Sequence, residues 1–275
     1  MFAGGVAWAT PGPLTPPAAE RVGARATDLG GSQDAAERGR SVRHVMTLTA
    51  GVGGIHAVLF LLTYWLVSDL PGVNASDAQI TAFYESDQRW RIVLAGLYVG
   101  PFAGMAFIWF LVALRMLVDT SARRVSLLLS NIQLVAGIIY VALFFAGLAA
   151  SSVLAASAEF ADAKIDPDTA RQFPQYGDTL LFVFSFRMAA MFVFTTSAIG
   201  RASGILPRPF VWSGYAVGLF LLLSAGFEGW FALVFPLWLL ALTGILFIRA
   251  RRIPPELRLP AHAPSLIPEH QAPGK

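Results

Sequence analysis

Six stretches of this chain are too apolar for all of them to be buried in a water-soluble fold. They cover residues 45–68, 92–118, 125–155, 179–200, 209–226 and 229–249. Each is close to the ~20 residues that carry a helix across a hydrocarbon core of ~30 Å. Inside a bilayer the backbone must satisfy its own hydrogen bonds, and uninterrupted runs of this length do so as helices. Composition agrees: 56% of the 275 residues are hydrophobic and 13% are charged, about half the charge usual in soluble domains. A single aqueous core in a chain this size cannot absorb that much apolar surface. The expected fold is therefore all-α, a polytopic membrane protein with six transmembrane helices.

The charges give the expected orientation. Arg38, Arg40 and Arg43 precede the first stretch; Arg115, Arg123 and Arg124 follow the second; Arg201 and Arg208 follow the fourth; Arg249, Arg251 and Arg252 follow the sixth. The other three connections hold only Arg89, Arg91, Lys164 and Arg171 among basic residues, with most of the acids. Eleven basic residues against four fits the positive-inside rule and puts both termini in the cytoplasm of a cell-membrane protein. The fifth stretch is the shortest, and only Gly226, Phe227 and Glu228 separate it from the sixth. A re-entrant hairpin is the competing reading there, and the alternation of charge favours six spans. Residues 1–40, rich in Ala, Gly and Pro, and the proline-rich residues 253–275 read as disordered tails around a membrane domain at 41–252. Pro11 and Pro13 interrupt the first short apolar run, which lacks the basic start of a signal peptide.

Two outer connections carry helix-start signals. Ser76 and Asp166 are N-cap residues in type and position, and Pro167 suits a first helical position. Among the spans, Gly96, Gly100 and Gly104 repeat every four residues, and Gly214 and Gly218 do the same. Such faces allow close helix–helix packing, expected here within one chain. Pro101 and Pro236 fall inside the second and sixth stretches and are expected to kink them. In the third stretch Ser126, Ser130, Gln133, Gly137, Tyr140, Phe144, Gly147 and Ser151 share one face, which should turn inward. Thr49, Gly53, His56 and Thr63 make a weaker stripe of the same kind.

Two ionisable residues are costly where they stand. Arg187 is nine residues beyond Asp178, roughly 13 Å into the core at 1.5 Å per residue. A cation at such depth costs ~2.5–3.5 kcal/mol on insertion scales, reduced if the side chain leans back toward the helix N-terminus. Asp178 falls on the opposite face, so Glu228 is the expected counter-charge. His56 lies about twelve residues into the first stretch, ~18 Å deep, with Tyr140 or Gln133 as expected hydrogen-bond partners. Arg187, His56, Gln133, Tyr140 and Glu228 are thus the candidate ligand-binding set.

Much chemistry is excluded. Without cysteine there is no disulfide, thiolate metal ligand or thiol nucleophile. His44, His262 and His270 lie outside the spans, so a second haem ligand is missing, and the last span has no lysine for a retinal Schiff base. No HExxH, GxSxG or phosphate-loop pattern occurs. No cofactor, metal, catalytic residue or nucleic-acid partner is expected, and an enzyme is the less favoured class. Residues 83–91, FYESDQRWR, followed by the glycine-rich LAGLYVGPFAGMAFIWFLVALR, resemble the uncharacterised multi-pass membrane proteins of high-GC bacteria. The resemblance implies a six-helix bacterial membrane protein and no particular activity. The functional expectation is binding or transport of a small anionic or amphiphilic molecule, such as a lipid, between the helices. The alternative is a structural or accessory subunit locked by an Arg187–Glu228 ion pair.

Overall fold

Every element in the described residues is helical. The computed structural model describes residues 18–68, 70–72, 74–120, 126–224 and 229–252. The chain divides into two compact units, Met1–Ser41 with Pro254–Lys275, and Val42–Ile253. In the first, the described part is helical backbone, because helix α1 begins at Ala18 and runs to Val67. Of the tail expected over 1–40, residues 1–17 lie outside the described residues. Its residues 18–40 mix the Gly that argued for disorder with Ala18, Ala19, Ala24, Ala26, Ala35, Ala36 and several Arg and Glu, all strong helix formers. The C-terminal tail lies outside the described residues.

Among the described residues five helical segments are long and apolar enough to cross a bilayer: Ser41–Val67, Arg89–Asp119, Leu127–Phe160, Pro167–Ser203 and Trp230–Arg252. The second comprises α3 (Arg89–Val93), a π turn (Leu94–Val99) and α4 (Gly100–Asp119). The third is α5, Leu127–Phe160. The fourth comprises α6 (Pro167–Asp178), a π turn (Thr179–Ser185) and α7 (Phe186–Ser203). A shorter apolar helix, α8 (Arg208–Leu223), precedes a 3₁₀ turn (Gly229–Leu233) and α9 (Val234–Arg252). Helix α2, Asp77–Glu85, lies between α1 and α3.

Register follows from the glycines. A β-carbon placed on Gly96, Gly100 or Gly104 would run into Ser152, Leu148 or Phe145 of α5, and one on Gly137 would meet Leu111. The pairs descend on one strand of the comparison as they rise on the other, so α4 and α5 are antiparallel. On its other side α5 meets α6 and α7: Gly147 lies against Gly177, the Ser185 hydroxyl donates to the Tyr140 carbonyl at 3.2 Å, and Gln133 Nε2 donates to Thr196 Oγ1 at 2.7 Å. Gly214 and Gly218 seat α8 on Ser197 and Phe194 of α7, and Phe210 stacks on Trp238 of α9. Gly53 of α1 would meet Phe110 of α4 and Thr243 of α9, which closes the ring α1–α4–α5–α7–α8–α9.

The inward stripe of α5 is buried from Ser130 to Ser151, with Ser126 exposed at the helix start, and Thr49, Gly53, His56 and Thr63 are buried on α1. The outward faces are apolar instead, with Ile55, Val58, Phe102, Trp109, Val135, Ile138, Trp212 and Leu237 exposed. Exposed apolar side chains on this scale suit lipid rather than water.

The ends of the ring differ in charge. At one, Arg115 Nη1 donates to Asn131 Oδ1 at 3.4 Å and Arg249 Nη1 to the Gly204 carbonyl at 3.2 Å. At the other, the Arg89–Glu159 ion pair (2.7 Å) ties α3 to α5. A second core of Ile80, Phe83, Tyr84, Ile92, Val93, Ala155 and Ala170 gathers at this acidic end. Both expected N-caps are in place. Ser76 forms a capping box with Gln79, and Asp166 Oδ2 accepts from the Thr169 N–H and hydroxyl, both at 2.9 Å. Those bonds hold the Asp166 carboxyl below its ordinary pKa, so this cap is fully formed above 3.8 and is lost as pH falls through the lowered value.

The prolines divide. Pro101 cannot donate a hydrogen bond, and its ring crowds the Leu97 carbonyl one turn back. The helix widens there, and the Gly100 N–H reaches the Ala95 carbonyl five residues away. Pro236, expected to kink a span, instead lies in the first turn of α9, because that helix starts at Val234. Its missing N–H is one the first turn leaves unused. We predict that Gly100→Leu, which pushes a branched side chain into Leu148 and the Ala95 carbonyl, costs about 1–3 kcal/mol or more in thermal unfolding in detergent. Gly54→Ala, where a β-carbon meets nothing within 4 Å, should be neutral or stabilise by up to ~1 kcal/mol. Equal behaviour of the two variants would refute this packing.

Candidate functional site

The centre of the ring is filled by aromatic rings. His56 of α1, Phe107 of α4, Tyr140 of α5, Phe192 of α7 and Phe235 of α9 are completely buried. The His56 ring centroid is 4.7 Å from that of Phe107, and Tyr140 is 5.0 Å from Phe235. Phe192 packs edge-on to Phe107 at 5.3 Å. His56 Nδ1 lies 2.8 Å from the Ala103 carbonyl. A carbonyl can only accept, so Nδ1 carries the proton and Nε2 is free to accept from the Tyr140 hydroxyl at 3.4 Å.

The sequence candidates therefore separate. His56 and Tyr140 meet, as the stripes suggest, but inside a packed aromatic core. Gln133 is about two turns away toward the basic end and is engaged by Thr196. Arg187 is half-buried, and its Nη1 donates to the Val183 carbonyl at 2.5 Å, one turn back toward the helix N-terminus. That bond sits on the π turn Thr179–Ser185, where the Phe186 N–H reaches the Leu181 carbonyl. A side chain inserted into the helix ladder is a recognised cause of such irregularity. Among the described residues no carboxylate pairs with Arg187. Glu228 lies outside the described residues. Nor do His, Asp or Glu side chains gather in threes to hold a metal ion among the described residues.

A cavity of about 400 Å³ opens on the acidic side of the aromatic core. Its walls come from α1 (Phe60, Thr63, Tyr64, Val67), α5 (Phe144, Leu148, Ser151), α6 and the following turn (Pro174, Asp178, Leu181, Phe182), and Phe186. Leu70, Pro71 and Gly72 form the rim with Arg171 and Gln175. None of Arg187, His56, Gln133 or Tyr140 lines it. Phe60 and Phe144, stacked with centroids 5.5 Å apart, separate it from His56 and Tyr140.

The polar groups at this cavity are unequally committed. Arg171 is engaged by two carboxylates: Nη1 donates to Asp168 Oδ1 at 3.0 Å, and Nη2 donates to the Ala75 carbonyl at 3.1 Å and to Asp77. It thereby ties α6 to the start of α2. Asp178, half-buried at the end of α6, has no hydrogen-bond or ion-pair partner for its carboxylate among the described residues. In the sequence Asp178 marks the depth of Arg187 and is set aside as its partner, because it falls on the opposite helix face.

Comparison of the chain with known protein families, curated proteins and solved structures returns no match. The site therefore rests on its own geometry. With no carboxylate partner in the described residues, Arg187→Leu should change stability by less than ~1 kcal/mol or raise it, as a charge leaves an apolar helix. Loss of about 3–5 kcal/mol in detergent melts would instead reveal a buried ion pair.

Proposed function

We propose that the chain is a six-crossing integral membrane protein that binds one small amphiphilic molecule in the cavity at the acidic end of its helix ring. The cavity carries this reading. Its ~400 Å³ falls within the ~300–1,000 Å³ of ligand sites, which combine apolar walls with a few convergent polar groups. Binding is favoured over transport because the aromatic core stands between the cavity and the basic end. A route through would require five fully buried side chains to move together. The alternative role, a structural subunit, draws support from the same core, since His56, Gln133 and Tyr140 all find partners within the chain. That reading leaves the cavity and the unpaired Asp178 without a purpose.

Six crossings rest on α8. Its 16 residues span ~24 Å at 1.5 Å per residue, short of the core but within reach of a locally thinned bilayer. Like its longer neighbours it exposes apolar side chains outward, Trp212, Leu219 and Leu223. The arginine-rich end would then face the cytoplasm of the cell membrane. The natural absence of cysteine makes the test clean. Cysteines at Ser76 and Asp168 should react with an impermeant maleimide in intact cells, and those at Thr120 and Gly204 should not. Labelling of Gly204 alongside Asp168 would remove the six-crossing topology.

Ligand occupancy is tested by native mass spectrometry of the full chain in an uncharged detergent. A retained amphiphile should be present in the wild type and lost in Gly72→Trp. Gly72 sits on the cavity rim with nothing within 4 Å of an added β-carbon, so the indole can fill the mouth without a clash at its base. A bound species that survives Gly72→Trp lies elsewhere.

A further inference from the structure

We infer that the occupant of this cavity carries a positively charged, ammonium-type head, with Asp178 as its counter-ion. The inference rests on the cavity being a ligand site and adds the sign of the ligand's charge.

The charges around the cavity mouth do not balance. Among the described residues Arg171 is the one cation lining it, and Asp77 and Asp168 already hold its guanidinium. Two carboxylates against one guanidinium leave that cluster net negative before Asp178 is added. An anionic head would meet a guanidinium whose charge two carboxylates already offset, while approaching Asp178. A cation meets the reverse situation, a half-buried carboxylate with nothing to pair with among the described residues. The walls agree with the sign. Phe60, Tyr64, Phe144, Phe182 and Phe186 all line the cavity, and aromatic faces attract ammonium groups, which is how aromatic cages bind quaternary amines. The apolar remainder of the wall accommodates an alkyl chain. This reverses the sign expected when Arg187 was the leading candidate.

Three probes of equal chain length test it: decyltrimethylammonium, decanol and decyl sulfate, titrated below their micelle-forming concentrations into the full chain in dodecyl maltoside. Binding is read by thermal shift and native mass spectrometry. The ammonium should bind about tenfold or more tightly than the alcohol, and the sulfate weakest. Asp178→Asn should weaken the ammonium by about tenfold, the scale of one lost ion pair, and leave decanol unchanged. Sulfate binding as tightly as ammonium, or ammonium binding that ignores Asp178→Asn, overturns the inference while leaving the cavity as a ligand site. If Asp178→Asn does not yield folded protein, the order of the three heads on the wild type decides alone. Failure of all three probes, or binding unaffected by Gly72→Trp, removes the ligand site itself. Two sources share this chemistry, a free alkylamine and the ammonium of a zwitterionic lipid. Retention of phosphatidylethanolamine after reconstitution in phosphatidylglycerol vesicles containing it identifies the lipid; its absence, with the alkylammonium still bound, identifies the free amine.

Discussion

The five-ring core is the constraint on which the remaining structure depends. Each ring comes from a different helix, so none of those helices can rotate or slide without opening a gap. Between apolar helices in lipid there is no hydrophobic drive to hold them together, and packing must do so. Edge-to-face and offset ring pairs contribute about 0.5–1.5 kcal/mol each beyond burial. Their geometry also fixes rotation, which a layer of leucines would leave loose. His56 belongs to this arrangement. Its two ring nitrogens are used in opposite senses, one toward a backbone carbonyl of α4 and one toward a hydroxyl of α5.

Around that core, small residues set how near the helices come. Helix α5 is gripped on both sides, by the glycines of α4 and by Gly177 of α6. The cavity lies beside the close approach of Gly147 and Gly177, and Leu148, Ser151, Asp178 and Leu181 from those same segments line it. The Arg171 cluster then braces α6 against the start of α2 across the rim.

Much of this was legible in the chain because it is periodic. The stripe of α5, the glycine spacings and the caps at Ser76 and Asp166 each repeat or occupy a defined helical position, and the structure places them as the spacing implies. Pro236 was misplaced because hydropathy alone does not distinguish a 3₁₀ entry turn from the helix it enters. The aromatic core was not legible at all: Phe107, Phe192 and Phe235 look like any other phenylalanine in an apolar run. Asp178 was overlooked for a related reason. Its isolation depends on which residues segments distant in the chain bring near it, and no local pattern encodes that. Arg187 drew attention as the costliest residue by depth, yet its guanidinium finds a carbonyl one turn away and needs no distant partner to explain its place.

The pairing of Gln133 with Thr196 carries a consequence for how the chain is made. The two residues are separated by 63 positions, and a ribosome adding ~5–20 residues per second takes roughly 3–13 s to cover that distance. Throughout that interval α5 exists without the helix that accepts its amide. Tyr140 and Gly137 of its stripe already have α1 and α4 to meet, while Gln133 waits for a partner from the second half of the ring. The glycines of α4 are already synthesised by then, ready to take α5 in its final register. The order of the helices along the chain is therefore also a schedule, in which the clamp is made before the helix it holds and the polar partner arrives last.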